Sequence, residues 1–523
     1  MHVKMKNIGA SCVSLFGVDP SITIKKDEDY NLVSTISISR YEGKKIKSHL
    51  PEICAALAAV SFHLSSGMGM AYSAVLIAQL ELPESEIKAT TSEKSWIASI
   101  LVVVVPVASI ICSLLMDSIG RLKTIIVAAI PGVLGWSMIA LANNIPLIII
   151  GRLLLGFSLA CGTNPAIVYI SEIASPSLRG SLMSMGIPLV STGLVLTYFF
   201  GMYLDWRVIA WIGNISCIVP AILCFFVPES PPWLFWKRKY GEAKKSLDWL
   251  AKYQPQPQSR SETYSELQMK LLENEQNKRD NGNEKKGDKV ALSTVKAFLK
   301  PTGYKPIIFF FGLHVCQQFC GIYIIMYYSI QFMQAAGTSI DPYVASIFIG
   351  IVRFVMSLVS TALMRKFRRR TLIMISALGM SLCMFTSGFF TTLIQQNKTT
   401  LTWVPVVSLL AFVSFSTIGF APIPFTIMTE LFPTEIRSVG YAIGMSENCF
   451  LNFISLQYYY TMLEFLGGIV EIQYFFAIIA LLGLVYAYIF MPETFNVTMS
   501  DLANYYNDHT IYIGHDHSKT EHR

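Results

Sequence analysis

One arginine stands near the middle of an apolar run from Val344 to Met364, and it is the only charge there. A run of that length crosses a bilayer. An arginine at its centre costs about 2.5–3.5 kcal/mol on insertion scales. At least nine apolar or small residues flank Arg353 on each side, so it cannot snorkel to a helix end. Intramembrane arginines face a bundle interior and find a partner there. The best partner in the sequence is Glu447, deep in another apolar run and next to Asn448, so we expect an Arg353–Glu447 pair.

Amides form the second group with chemistry. Gln317 and Gln318 follow His314 by three and four residues, and Gly321 follows it by seven; all lie near one helical face. Asn448 and Asn452 are four apart on another helix. An amide donates and accepts at once, which suits a hydroxyl-rich, uncharged ligand. The plainer use is to join helices, for about 0.6 kcal/mol per polar contact. The third group is ionic. Glu172 and Arg179 are seven apart, as are Glu430 and Arg437. With Asp117 and Arg121 in the first set, and Arg369 and Arg370 in the second, these could build two ion-pair clusters where helices end. Such clusters suit a two-state gate; simple anchoring by positive charge is the alternative.

The elements that must position these groups are membrane helices. The chain has 523 residues, of which 53% are hydrophobic and only 14% charged, with a mean hydropathy of +0.49. Soluble chains carry nearer ~25% charge. Twelve spans are expected, at about 52–78, 95–116, 123–142, 145–170, 181–203, 208–227, 306–331, 342–364, 371–393, 402–429, 438–464 and 471–491. The fold class is therefore all-α, a polytopic membrane protein. GRLK (120–123), RKFRRR (365–370) and the lysine-rich segment 237–305 are basic, whereas ELPESE (81–86), NN (143–144) and the turn from Glu464 to Glu471 are not. Positive charge stays on the cytoplasmic side, which places both termini there. The net charge of +7 collects in those loops and does not speak for nucleic acid.

The chain also repeats itself. Glu172 and Glu430 lie 258 residues apart, Arg179 and Arg437 likewise, and PES (228–230) and PET (492–494) lie 264 apart. Two pseudo-symmetric six-helix halves follow, 50–236 and 306–493, with a cytoplasmic tail at 1–49, a central loop at 237–305 carrying surface helices, and a tail at 494–523. Parallel half-repeats are a transporter architecture, with the solute site near the midplane between them.

These motifs carry a resemblance. DSIGR (117–121), GRLLLG (151–156), PAIVYISEIASPSLRG (165–180), PESPPWL (228–234), QQFCGI (317–322), PIPFTIMTELFPTEIR (422–437) and PET (492–494) occur in order. Together they make the chain resemble the sugar porters of the major facilitator superfamily, and among them the insect facilitated trehalose and glucose transporters. The resemblance implies the major facilitator fold and sugar movement by alternating access. It places Gln317, Gln318 and Asn452 on the sugar, with Asn448 beside them. It implies that the charge clusters hold the cytoplasmic gate shut in the outward-open state. Several positions depart from the pattern. Arg365 stands where an acid is usual and Arg368 where glycine is, with Glu435 as a substitute acid. Tyr323 and Phe425 replace an Asn and a Trp of the cavity, Ile187 a Gln, and Pro232 an Arg. Arg353 stands where the family has Asn.

The expected function is facilitated diffusion of a hexose or trehalose. The alternatives are a non-transporting sugar sensor, a carrier of a non-sugar or anionic solute drawn by Arg353, and a proton-coupled symporter. Against coupling, the stretch FHLSSGMGMAYSAVLIAQL (62–80) holds no acid. The Arg353–Glu447 pair has three readings: structural, solute-binding, or blocking. A lone His63 reads as a structural group. Asn397 heads a glycosylation sequon in an outer loop. No Walker loop, nucleophile elbow or metal-ligand cluster is present, so no enzyme, cofactor or metal is expected. A monomer in the plasma membrane, with a small sugar and the lipid bilayer as its partners, completes the reading. Most of the cysteines lie in apolar runs, so no disulfide framework is expected.

Overall fold

The computed structural model describes residues 49–252, 297–432 and 436–494. Helices are the only regular elements among them. Ten stretches are long and apolar enough to cross a membrane: Leu50–Leu80, Thr91–Ile119, Arg121–Ala140, Ile145–Ile173, Leu178–Tyr203, Trp206–Phe225, Pro342–Leu363, Arg369–Gln395, Val404–Met428 and Ile469–Phe490. Four of these stretches are broken once: Leu50–Val60 from His63–Leu80, Thr91–Val103 from Val105–Ile119, Pro176–Met183 from Gly186–Tyr203, and Val404–Ile418 from Ile423–Leu431. The other two expected spans are helical, less apolar and also interrupted. One runs as Pro301–Phe319, Ile322–Tyr327 and Ser329–Ala335, the other as Arg437–Gln457 and Tyr459–Leu466. Gly321 breaks the first with φ +93°, a conformation that a side chain resists. The second holds Ser446, Glu447, Asn448 and Asn452, which lower its apolarity. These two less apolar segments carry the amides, in keeping with irregular backbone at membrane depth where a bundle interior can satisfy it.

Caps set several boundaries. The second span starts at Thr91, four residues before the expected position. Thr90 accepts from the Glu93 backbone N–H, and the Glu93 side chain accepts from that of Thr90, a capping box. Asn144, Asp205 and Asp341 cap the Ile145–Ile173, Trp206–Phe225 and Pro342–Leu363 helices through their side chains.

Packing joins the stretch before residue 252 to the stretch after 297. The Gly186–Tyr203 helix lies against both His63–Leu80 and Pro342–Leu363, and Thr91–Val103 lies against Arg437–Gln457. One continuous apolar core, including Tyr72, Trp136, Tyr198, Phe310, Phe332 and Phe420, runs through both. From the expected central loop, Tyr240–Leu250 is an amphipathic surface helix, with Ala243, Leu247 and Leu250 buried and Lys244 and Lys245 exposed. Residues 253–296 of that loop, 1–48 and 495–523 lie outside the described residues. The nine described cysteines are all free thiols; Cys54 is exposed rather than packed inside.

Candidate functional site

The first ionic cluster forms around Arg121. Its Nη2 and Nε donate to Glu172 at 2.9 and 3.1 Å, a forked arrangement that fits the planar guanidinium. The Ser230 hydroxyl donates to the same carboxylate. Asp117 stands 3.9 Å from the guanidinium and is 59% exposed, so its contribution is under about 1 kcal/mol. Arg179 does not join: it is exposed, and its Nη2 donates to the Ala174 carbonyl at 3.3 Å. Seven residues after Glu172, past the end of the Ile145–Ile173 helix, its side chain no longer shares that helix face.

The second cluster mirrors the first. Arg369 Nη2 donates to Glu430 at 2.6 Å. Glu430 Oε2 is buried without a hydrogen-bond partner, and burial lifts this carboxyl above its ordinary value. Arg370 does not reach Glu430. Its Nη2 donates to the Tyr488 carbonyl, and its guanidinium lies 5.4 Å from the Tyr488 ring centre. Arg365 donates to the Ser181 hydroxyl, a link between the two stretches of chain. Glu435 and the side chain of Arg437 lie outside the described residues.

Two carboxylates absent from the expected clusters organise both. Glu229, of PES, accepts from the backbone N–H groups of Arg121 and Leu122 at 3.1 Å each. Glu493, of PET, accepts from those of Arg369 and Arg370 at 3.1 and 3.3 Å. Each caps the helix that begins with the pairing arginine, where unpaired N–H groups favour an anion. Their signal was in the repeat itself, since both pairs recur at a similar offset. Glu52 was also missed; buried in the first helix, it accepts from Ser175 N at 3.1 Å.

Deeper in the bundle, the amides divide. Gln317 Nε2 donates to the Phe420 and Ala421 carbonyls at 2.8 and 3.2 Å, and its Oε1 accepts from Asn448 Nδ2 at 2.9 Å. These two amides therefore join helices, which is the plainer of the two expected uses. Gln318 is fully buried, and both its amide atoms lack a partner; so does Asn452 Oδ1. A buried amide without partners is costly. His314 stacks on Phe310 with ring centres 5.8 Å apart and has Phe425 at 6.5 Å; both its nitrogens are unpartnered. His63 is structural, its Nδ1 donating to the Val60 carbonyl at 3.1 Å.

Arg353 and Glu447 do not pair. Arg353 Nε and both Glu447 oxygens are buried without hydrogen-bond partners. The groups acting most strongly on the Arg353 charge are the phenols of Tyr323, Tyr198 and Tyr327, and no carboxylate stands among them. Glu447 instead lies within electrostatic range of Tyr486, on the Ile469–Phe490 helix. Equal depth in two spans was not enough, because each side chain's direction around its helix decides what it meets.

Arg152, missed within GRLLLG, has a hydrogen-bond partner for each of its three side-chain nitrogens. It is 0% exposed. Its Nε donates to Ile97 O at 3.0 Å, Nη1 to Gly69 O at 2.7 Å, and Nη2 to the Ser73 hydroxyl. It ties together three helices, which is how a buried guanidinium avoids an unpaired-donor cost. At the end opposite the basic loops, Ser99 Oγ donates to Gln457 Oε1 at 2.6 Å, Gln331 Nε2 to Ala74 O at 2.9 Å, and Tyr198 OH to Met326 O at 2.8 Å. A cleft of about 590 Å³ opens near that end, lined by Gln79, Glu84, Glu86, Tyr203, Trp206 and Tyr343 among others; the amides are not part of it. Asn397 is exposed, with φ +53°.

Known proteins match this chain along most of its length. A family model described as "Sugar (and other) transporter" matches residues 52–506. Facilitated trehalose transporter Tret1 of Apis mellifera ligustica is 29% identical over 448 residues, covering 85% of this chain and 86% of that protein. The protein of the same name from Culex quinquefasciatus is 28% identical over 454 residues, covering 85% and 84%. Among solved structures, the xylose transporter XylE from E. coli, in a partially occluded inward open conformation, superposes with a TM-score of 0.66 at 18% identity, covering 86% of this chain and 99% of that one. The proton:xylose symporter XylE bound to 6-bromo-6-deoxy-D-glucose superposes at 0.64 and 20% identity, covering 88% and 100%. The fold is that of the major facilitator superfamily.

Proposed function

The chain belongs to the Sugar (and other) transporter family, and from that premise we propose that it carries a sugar of hexose or trehalose size across a membrane by facilitated diffusion. The observation that carries this reading is the set of buried, unpartnered amide atoms inside the bundle, both of Gln318 and Oδ1 of Asn452. They supply donors and acceptors together, as a hydroxyl-rich solute requires. The names of the trehalose and xylose transporters that the chain resembles point the same way.

Alternating access supplies the mechanism. The halves 50–236 and 306–493 rock about the amides. The hydrogen bonds Ser99–Gln457, Gln331–Ala74 and Tyr198–Met326 hold the outer end closed and must break for the solute to enter. The Arg121–Glu172 and Arg369–Glu430 pairs brace each half at the basic end, and Arg365–Ser181 is a link between halves that opens with it. No acid lies in residues 62–80, which favours uniport over proton coupling. The basic loops support cytoplasmic termini in a plasma-membrane monomer, and exposed Asn397 is its glycan acceptor. The protein is a carrier, not an enzyme.

The test is uptake of labelled glucose, fructose and trehalose in cells lacking sugar carriers of their own, at acid and neutral pH, with surface expression confirmed. Saturable uptake of a sugar that does not change with pH supports the reading. Uptake that rises at acid pH replaces uniport with symport. No uptake of any sugar by protein at the surface overturns plain sugar transport.

A further inference from the structure

We propose that the solute carried at this site is a sugar bearing one acidic group, a carboxylate or phosphate, and that Arg353 is the specificity-determining residue that binds it. The inference rests on the sugar-carrier reading above and names the solute class within it.

The argument starts from placement. Along the Pro342–Leu363 helix, Ser346, Ile349, Gly350, Ser357 and Ser360 are buried, whereas Phe348, Ile351, Phe354, Val355, Leu358 and Val359 are exposed. Arg353 falls on the buried stripe, at helical spacing from Ile349, Gly350 and Ser357. It is itself only partly covered, while its Nε is fully buried. The Nε end of the side chain therefore lies inside the bundle, at membrane depth.

Nothing among the described residues neutralises it. The expected partner, Glu447, lies by Tyr486 instead. The groups acting most strongly on Arg353 are three phenols, Tyr323, Tyr198 and Tyr327. Of these, Tyr198 donates its hydroxyl to Met326 O. The contrast with Arg152 is direct, since that arginine places donors on two carbonyls and a hydroxyl. An arginine kept only for packing has its donors matched in the same way; one left unmatched at this depth has its counter-charge supplied from outside the chain.

The surroundings describe the rest of the solute. Tyr323 follows Gln318 by five residues on the same interrupted segment, so phenol, amide and guanidinium belong to one region. Free amide atoms on Gln318 take hydroxyl groups, and ring faces take the apolar side of a sugar. A planar fork of donors takes a carboxylate or phosphate in a bidentate grip. A neutral hexose satisfies the first two and leaves the guanidinium unpaired; a uronate or a sugar monophosphate satisfies all three.

Purified full-length protein in liposomes tests this with labelled glucose, glucuronate and glucose 6-phosphate. The expected result is transport efficiency at least tenfold higher for one of the two anions than for glucose; which anion wins separates carboxylate from phosphate recognition. Arg353→Asn should lower the ratio of anion to glucose transport efficiency at least tenfold, and Arg353→Lys should retain part of the anion preference. Inhibition of glucose uptake by excess unlabelled anion repeats the test on unaltered protein, should the variants fail to fold. Glucose transport without transport or competition by either anion overturns the anionic solute and leaves the sugar carrier standing. Anion preference unchanged in Arg353→Asn overturns the role of Arg353. No movement of any of the three, by protein that is folded and inserted, overturns this inference; the sugar-carrier reading falls with it when fructose and trehalose are not carried either.

Discussion

The two charge clusters at the basic end are built to one plan with different parts. In each, an arginine opens a helix, pairs with a glutamate at the end of the next span, and has its helix start capped by a glutamate that follows the last span of its half. Arg121, Glu172 and Glu229 do this in the first, and Arg369, Glu430 and Glu493 in the second. The difference lies one residue before the arginine. Gly120 has φ +106°, and a Cβ there would meet Glu229 Oε2 at 2.5 Å. Arg368, in the matching place, has φ −62°, which any residue adopts. The glycine of the first half is thus a backbone requirement, and its loss in the second is permitted because the chain enters the helix by another route. The lesson is that a motif departure can be absorbed by φ and ψ while the ion pair it framed survives.

The glutamates differ more. Glu172 has both oxygens engaged, by Arg121 and Ser230, whereas one oxygen of Glu430 has no hydrogen-bond partner. The sharpest way to break the comparison is therefore a matched pair of variants. Glu172→Gln removes one side of a forked, half-buried pair and should destabilise the protein by about 3 kcal/mol, read as a lower melting temperature in detergent. Glu430→Gln should cost nearer about 1 kcal/mol, because burial already works against its charge. The pH dependence sharpens this further. The folded value of Glu430 lies above the unfolded one, so the protein binds that proton more tightly when folded and gains stability as pH falls through the folded value. Glu430→Gln should flatten that rise. Equal losses in the two variants would dissolve the distinction between the clusters.

Next in size is the helix entry. Gly120→Ala should cost about 1–2 kcal/mol, from a strained φ and the push on Glu229. Arg368→Gly should change stability by about 0.5 kcal/mol or less. If both are neutral, the positive φ is not a constraint. The smallest effect is expected at Arg365, which took the place of an acid. Arg365→Asp restores an i,i+4 partner for Arg369, worth about 0.3–0.5 kcal/mol, while removing the link to Ser181. Stability should hardly move and the transport rate should rise, since one bond between the halves is gone. An unchanged rate would remove Arg365–Ser181 from the gate.

Much of this was legible before any coordinates. Run length and hydropathy placed ten of the spans directly. All twelve were expected as unbroken helices, and the breaks, at Gly321 and after Gln457 among others, came from backbone geometry that composition does not encode. Thr90 and Glu93 spelled a capping box that the apolar window passed over. At the candidate site, residue type singled out the amides but not which of them bond to the protein and which do not. Gln317 faces the carbonyls of Phe420 and Ala421, and adjacent Gln318 does not, because one residue turns a helix by about 100°.

The sequence by itself determined the class, the number of membrane segments, the internal repeat and which residues carry charge at membrane depth. All of these depend on local composition and on spacing along one chain. Only the tertiary structure decided that Arg121 rather than Arg179 meets Glu172, that Arg152 is satisfied, and that Arg353 and Glu447 stand apart. Those outcomes depend on how each helix is rotated about its axis and which neighbour it packs against. At that scale a turn of one residue separates a guanidinium paired with a carboxylate from one whose buried Nε has no partner.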